Sequence, residues 1–190
     1  MTKLGFIRHG ITDWNAEQRI QGHTDIPLNE TGRRQARALA ERLRGEAWDF
    51  IYSSDLSRAR ETAEIVAKAI GLSLVVDQRL REMSCGQVEG TTAEDRIARW
   101  GRDWKAQSLG IETKESIASR GLSFVTEIVD RHSDANVLIV SHGAILRQTL
   151  LHLLPPAACQ GRLHNTSVTR VTHRHGDWRC ELYNCARHIE

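Results

Sequence analysis

The 190-residue sequence predicts an α/β fold, organised as one domain over residues 1–190 around a mainly parallel sheet. Short apolar runs of strand length alternate with segments that carry apolar residues at helical spacing, as in parallel α/β proteins. Hydrophobic residues make up 40% of the chain, which at this length is enough for one substantial core. No internal repeat, low-complexity tract or linker divides the sequence.

The predicted strands are short, apolar and followed by polar residues. The first lies within residues 4–10, where an apolar run ends abruptly in Arg8, His9 and Gly10. The run at 136–140 is nearly all β-branched residues or leucine, which favours a strand. Further strands are predicted at 48–52, 72–76, 167–172 and 178–183.

Helices are predicted between these strands. Asn29 or Thr31 caps the first, because apolar residues follow at i, i+3, i+4 and i+7 from Ala36. A second begins near Ser57 and ends before Gly71, and others are predicted at 93–106, 116–131 and 144–154. The polar stretch 11–29 has no apolar period, so it is predicted to be a long loop that is either a binding segment or disordered.

Composition narrows the functional class. The net charge of +2 indicates no large basic face, so a nucleic-acid partner is not expected. No apolar run reaches transmembrane length, and only four apolar residues precede Arg8, too few for a signal peptide. The four cysteines lack metal-site or disulfide spacing. We therefore expect a reduced, cytoplasmic protein with no membrane partner; the oligomeric state is not readable from the sequence.

Three predicted strands end in polar clusters that parallel pairing would bring to one edge of the sheet. These clusters are Arg8-His9-Gly10, Ser53-Ser54-Asp55 leading to Arg58, and Ser141-His142-Gly143, and a further loop carries Glu82. Two arginines, two histidines and one carboxylate are the groups that a phosphoryl-transfer site needs.

The chemistry predicted for these groups has two steps. A neutral His9 imidazole attacks phosphorus and forms a covalent intermediate, while a bond to its other nitrogen fixes the tautomer. Arg8, Arg58 and a protonated His142 hold the non-bridging oxygens and stabilise the charge that develops in the transition state. Glu82 gives a proton to the leaving oxygen and then activates water against the phosphohistidine.

Five separated motifs, in order, make the chain resemble the histidine phosphatase superfamily, in the branch of cofactor-dependent phosphoglycerate mutases and related phosphatases. The motifs are Arg8-His9-Gly10 with Thr12 and Asn15, Gln21-Gly22 with Pro27-Leu28-Asn29, Ser53 to Ala59, Glu82 before Gly86 and Glu89-Gly90, and Ser141-His142-Gly143. The resemblance implies a three-layer α/β/α sandwich with an antiparallel edge strand, which suits the predicted C-terminal strand pair.

The resemblance also implies residue roles. His9 would be the phosphorylated nucleophile and Glu82 the proton donor, with no metal and no cofactor. The expected partner is a small phosphorylated substrate. The residues expected to bind it are Arg8, Arg58 and His142 around the phosphate, with Asn15, Gln21 and Gly22 nearby.

Three positions depart from the mutase pattern: Ile11 replaces a glutamate, Cys85 a tyrosine and Ala144 an asparagine. The long insertion with further basic residues is also missing. Because a mutase must exclude water while its intermediate reorients, a short pocket favours hydrolysis. We expect a phosphomonoesterase; the alternatives are a cofactor-dependent phosphoglycerate mutase and a phospho-ligand binding module without turnover.

Other polar and aromatic residues have structural explanations. Arg60 lies about 200° around its helix from the site arginine and is expected to be solvated. Glu89 remains an alternative to Glu82 as the acid. Trp100 and Trp104, four residues apart in the predicted helix 93–106, are expected to pack on the core or on a covering helix.

Overall fold

The structure, a computed structural model, describes residues 1–189 and is built on a six-stranded sheet of order β3-β2-β4-β1-β5-β6. Strands β3, β2, β4 and β1 are parallel, whereas β5 runs antiparallel to both of its neighbours, β1 and β6. The strands are β1 (Thr2–Arg8), β2 (Phe50–Ser53), β3 (Leu74–Val76), β4 (Asn136–Ser141), β5 (Val168–Arg174) and β6 (Asp177–Cys185). The predicted α/β fold is confirmed, and the antiparallel strand lies one position inside the edge.

Six α-helices are described within residues 1–189. They are α1 (Asp13–Ala16), α2 (Glu30–Leu43), α3 (Ser57–Ile70), α4 (Ala93–Trp100), α5 (Lys114–Arg131) and α6 (Gly143–Leu153). The stretch predicted as a loop contains the single turn α1, which Thr12 caps by accepting from the backbone N–H of Asn15. None of these helices is long and apolar enough to cross a lipid bilayer.

Helices cover both faces of the sheet, which gives three layers. Alternate residues of β1 and β4 point to opposite faces, as the period of a strand requires. Leu4, Phe6 and Ile139 pack in the core on the α5 and α6 side, whereas Ile7 and Val140 pack on the α2 and α3 side. The central strands are thus buried on both faces, which explains why their sequences are continuously apolar.

Two predicted helix boundaries have clear local causes. The side chain of Asn29 accepts a hydrogen bond of 2.9 Å from the backbone N–H of Gly32, which confirms it as the cap of α2. Helix α3 ends at Ile70 and is followed by Gly71, whose φ of 74° is the left-handed conformation that closes many helices.

The predicted helix 93–106 is wrong in extent. Helix α4 ends at Trp100 because Gly101 has a φ of 78°, and only one 3₁₀ turn, Trp104–Ala106, follows. The two tryptophans therefore lie on different elements. Both still pack against one small apolar cluster, formed by Cys85, Val88 and Leu109.

Candidate active site

The ends of the central strands meet as the sequence predicts. Arg8 at the end of β1 pairs in register with Ser141 at the end of β4. One residue on, the backbone N–H of His9 donates to the carbonyl of Ser141 at 2.9 Å. This pairing places the rings of His9 and His142 side by side, with their centroids 5.1 Å apart.

A cavity of about 960 Å³ opens at this edge of the sheet. His142 is not part of its lining; the side chain is fully buried beside His9. The other seven residues that the sequence singles out all line the cavity: Arg8, His9, Asn15, Gln21, Gly22, Arg58 and Glu82. The structure therefore brings together groups from five separate parts of the chain.

The tautomer of His9 is set by the backbone. Its Nδ1 lies 2.6 Å from the carbonyl oxygen of Gly10. Because a carbonyl only accepts, Nδ1 must carry the proton, and the lone pair is on Nε2. Burial, together with the charges of Arg58 and Arg8, lowers the pKa of His9 well below its usual range. At neutral pH the imidazole is therefore neutral and holds a free electron pair.

His142 is buried without a hydrogen-bond partner for either ring nitrogen within residues 1–189. Burial and the neighbouring charge of Arg58 lower the pKa of His142 well below its usual range. In the ligand-free site His142 is therefore neutral, since the positive charges of Arg58 and Arg8 disfavour a proton on the ring. The expectation of a protonated His142 concerns the phosphate-bound site and stays a prediction.

The two arginines are anchored by backbone carbonyls. Arg8 Nη1 donates to the carbonyl of Leu163 at 2.7 Å. The fully buried Arg58 donates from Nη1 to Thr24 at 3.0 Å and from Nη2 to Gly22 at 2.8 Å. Burial, and the charge of Arg162 next, lower the pKa of Arg8 to about 10, so it remains a cation at neutral pH.

Four of the ten unpaired buried side-chain N and O atoms within residues 1–189 belong to this group of residues. Arg8 Nε, Arg58 Nε and both ring nitrogens of His142 have no partner within residues 1–189. Native proteins leave few such atoms, because each costs about 1–3 kcal/mol. A tetrahedral oxyanion in the cavity is the kind of ligand that satisfies clustered donors, and arginine geometry suits phosphate.

Glu82 reaches the same cavity from the loop after β3. Its Oε1 accepts from the backbone N–H groups of Met83, Ala144 and Ile145 at 2.9, 3.1 and 3.1 Å. Within residues 1–189, its Oε2 accepts from Ala144 alone, at 3.1 Å. The carboxyl group is thus fixed at the start of α6, and Oε2 has fewer hydrogen-bond partners than Oε1.

Glu89, the alternative to Glu82 as the acid, has a structural role. Its carboxylate accepts from the backbone N–H groups of His23, Thr24 and Cys85 at 2.8–2.9 Å. Burial acts to raise its pKa, but the hydrogen bonds from Thr24 and its neighbours outweigh it and lower the pKa. Glu89 therefore joins two loops and does not line the cavity.

Sequence reasoning missed the residue that supports the loop of Glu82. The Arg120 guanidinium on α5 donates to the carbonyls of Arg79, Arg81 and Glu82 at 2.8, 2.5 and 2.8 Å. Arg120 also pairs with Glu112 at 2.9 Å. No periodicity marks such a residue, because its partners are backbone atoms of a distant loop.

Three more of the predicted site residues lie in the loop that forms one wall of the cavity; they are Asn15, Gln21 and Gly22. Gln21 Oε1 accepts from the Thr12 hydroxyl at 2.9 Å, and Asn15 Oδ1 accepts from the Thr12 backbone at 3.3 Å. Gly22 has a φ of 56°, and a Cβ there would lie 2.0 Å from an oxygen of Glu89. A side chain at Gly22 would therefore displace Glu89 and shift the loop whose carbonyls bind Arg58.

Gly10 serves packing. A Cβ on Gly10 would lie 2.7 Å from the carbonyl oxygen of Gly32 in the first turn of α2. The lack of a side chain at Gly10 therefore lets α2 pack closely against the segment that follows β1. The expected solvation of Arg60 is confirmed, since it is exposed and pairs with Glu64.

Metal-binding groups are not clustered in the described part of the chain. Within residues 1–189, no three histidine, cysteine, aspartate or glutamate side chains group closely enough to hold a metal ion.

Comparison with known proteins agrees with this geometry. The sequence matches the family described as the histidine phosphatase superfamily (branch 1) over residues 4–186. The chain belongs to the histidine phosphatase superfamily. Among curated members, it is 35% identical to the uncharacterized phosphatase PhoE of Bacillus subtilis over 191 residues, covering 100% of this chain and 97% of PhoE.

Other similar members of the superfamily carry different activities in their names. The chain is 36% identical to the probable phosphoglycerate mutase GpmB of Yersinia enterocolitica, covering 94% of this chain and 88% of GpmB. It is 33% identical to the solved structure of a mycobacterial glucosyl-3-phosphoglycerate phosphatase complexed with VO3, covering 96% of this chain and 99% of that one, with a TM-score of 0.85. Relatives thus include both phosphatases and mutase-like proteins.

Proposed function

We propose that this protein is a phosphomonoesterase that hydrolyses a small phosphorylated metabolite through a phosphohistidine on His9. The observation that supports it most is the set of unpaired buried nitrogens of Arg8, Arg58 and His142 around an imidazole whose Nε2 is left free by the Gly10 carbonyl. A phosphoryl group placed there would be attacked by that lone pair.

In the first step, the Nε2 lone pair of His9 forms a bond to phosphorus and the ester P–O bond breaks. The proton on Oε2 of Glu82 moves to the leaving oxygen, so that an alcohol departs instead of an alkoxide. Arg8 and Arg58 balance the charge that spreads over the non-bridging oxygens. A bound phosphate also brings negative charge beside His142, which favours the protonated ring; the proton comes from solvent.

In the second step, the carboxylate of Glu82 takes a proton from a water molecule whose oxygen attacks phosphorus. The P–N bond breaks, the electron pair returns to Nε2, and inorganic phosphate leaves. Glu82 regains its proton and His9 its neutral form, so the cycle closes without a net change in the protein.

Hydrolysis is favoured over mutase chemistry by the outer wall of the cavity. Its residues Glu17, Gln18 and Glu94 are exposed, so water has a route to the phosphohistidine. Similarity to GpmB supports the mutase as the second candidate. A phospho-ligand binding module, the third candidate, would use the same pocket without turnover.

The test is phosphate release from p-nitrophenyl phosphate in buffer with EDTA, together with trapping of an acid-labile phosphoenzyme. We expect both in the wild type and neither in His9→Ala. The exposed His152, replaced by alanine, is the matched control and should keep full activity. Full activity of His9→Ala would refute the mechanism.

Two further outcomes separate the alternatives. With 3-phosphoglycerate, formation of 2-phosphoglycerate faster than release of phosphate would identify a mutase and refute the hydrolase proposal. Tight binding of inorganic phosphate without turnover of any phosphate monoester would support the binding module instead.

A further inference from the structure

Four arginines line the outer part of the cavity, beyond the phosphate pocket, and they fall into two kinds. Arg19 and Arg96 are held by other groups, whereas Arg147 and Arg162 make no hydrogen bond or ion pair through their guanidinium groups within residues 1–189. The unpaired cations are the ones that can bind a ligand.

The contacts of the first pair explain why they are not available. Arg19 donates from Nε to Glu17 at 2.7 Å and from Nη1 to the carbonyl of Gly90 at 2.7 Å. Arg96 donates to the carbonyl of Thr91 at 2.8 Å and lies over the ring of Trp104, 5.0 Å from its centroid. Both guanidinium groups support the cavity wall.

Arg147 lies on α6 and lines the cavity. It follows Gly143 by four residues, which places it on the same face of the helix and about one turn, or roughly 6 Å, further along. The start of that helix holds the carboxyl group of Glu82, and both Gly143 and Ala144 line the cavity. A ligand whose phosphate is bound at the start of α6 could therefore reach Arg147 with the rest of its structure.

Arg162 approaches the same region from the segment before β5. It precedes Leu163, whose carbonyl anchors Arg8, and its charge is the largest charge contribution to the lowered pKa of Arg8. The acidic residues of the outer wall, Glu17 and Glu94, belong to other segments, the α1 loop and α4. The wall formed by α6 and residues 161–163 is therefore the cationic one.

We propose that Arg147 and Arg162 form a second anion-binding subsite, so that the substrate carries a second anionic group, a carboxylate or another phosphate, beside the phosphate that is transferred. The inference rests on the proposed phosphatase function. The cavity of about 960 Å³ is much larger than a phosphate group, so it has room for one molecule that carries two anionic groups.

The experiment compares substrates that differ only in the second charge. 3-Phosphoglycerate and glycerol 3-phosphate differ in a carboxylate; fructose 1,6-bisphosphate and fructose 6-phosphate differ in a phosphate. We expect the wild type to prefer one doubly anionic member in kcat/KM, and the preferred pair identifies the anion. The variants are Arg147→Met, Arg162→Met and the double variant, with Arg102→Met, an exposed arginine outside the cavity, as the charge-matched control.

The double variant should lose about 10- to 100-fold in kcat/KM for the doubly anionic substrate, mainly through KM, since two charge-assisted contacts are removed. Its activity on the singly charged partner should stay within about twofold, as should both activities of the control. Arg147→Lys should recover part of the preference because it restores the charge.

Each result has a distinct meaning. Equal kcat/KM within both pairs, or an equal loss for both members in the double variant, overturns the second subsite and leaves the phosphatase proposal intact. Absence of phosphate release from every compound, including p-nitrophenyl phosphate, refutes the proposed function itself. Thermal unfolding of each variant confirms that the comparison is made on folded protein.

Discussion

Replacement of His142 by leucine should make the protein more stable and nearly inactive at once. Both ring nitrogens are buried without partners, and the side chain makes no capping bond to α6. Each unpaired nitrogen costs about 1–3 kcal/mol, so removing both from a site of similar volume should add about 2 kcal/mol to the free energy of unfolding. For a chain of this size, that raises the midpoint of thermal unfolding by about 4–8 °C.

Under the proposed function, the same change also removes one of the groups that bind the phosphate. Loss of one donor from such a site typically lowers kcat by about 10²–10³, or about 2.7–4 kcal/mol. The assays are thermal unfolding with and without inorganic phosphate, and hydrolysis of p-nitrophenyl phosphate. Phosphate should stabilise the wild type more than His142→Leu, because the stabilisation follows the affinity for the folded state.

One outcome would refute this reasoning. If His142→Leu unfolds at a lower temperature than the wild type in phosphate-free buffer, the ring nitrogens must be satisfied in the folded protein and the argument from unpaired atoms fails. Unchanged activity in a stabilised variant would separately remove His142 from the chemistry. A matched replacement at the exposed His152 should change neither quantity.

Three further predictions concern the supports of the site. Arg120→Met should lower kcat for an alkyl phosphate about tenfold more than for p-nitrophenyl phosphate, because a poor leaving group depends more on a well-placed proton donor; equal losses in the two assays would mean a purely structural role. Gly22→Ala should raise KM and destabilise the fold by about 1–3 kcal/mol in chemical denaturation, given its positive φ and the clash with Glu89; an unchanged KM would contradict the assigned loop contact. The pKa values of His9 and His142 are lowered in the folded state, so below about pH 6.5 the unfolded chain binds more protons than the folded one. As the pH is lowered through this range, the free energy of unfolding should decrease by up to about 1.4 kcal/mol per pH unit for each histidine. Urea unfolding at pH 7.5, 6 and 5 measures this slope, and a flat profile would contradict it.

Elements with strong periodicity could be predicted from the sequence. Strand β4 is apolar from Val137 to Val140 because both of its faces are covered, and α2 has a capping asparagine and a regular apolar stripe. The polar residues after β1, β2 and β4 could be placed at one edge because parallel strands end together. Topology alone thus brings His9, Arg58 and His142 to one place.

What could not be predicted depends on contacts between distant loops. Arg120 and Glu89 act through backbone N–H and carbonyl groups of segments far away in the chain, and such contacts leave no pattern in the sequence. The end of α4 at Gly101 was also missed, because a single glycine within an otherwise helical pattern is often tolerated. The lowered pKa of His142 in the ligand-free site could not be predicted either, because it depends on burial in the folded chain.

The double anchoring of Arg58 affects how the site recognises its ligand. An arginine side chain has about 2 kcal/mol of rotamer entropy to lose when it is fixed in one geometry. Because the carbonyls of Thr24 and Gly22 already hold both terminal nitrogens, that entropy is lost when the chain folds and not when a ligand arrives. Ligand binding at this guanidinium therefore does not include the entropy loss of ordering the side chain, which binding to a flexible surface arginine would include.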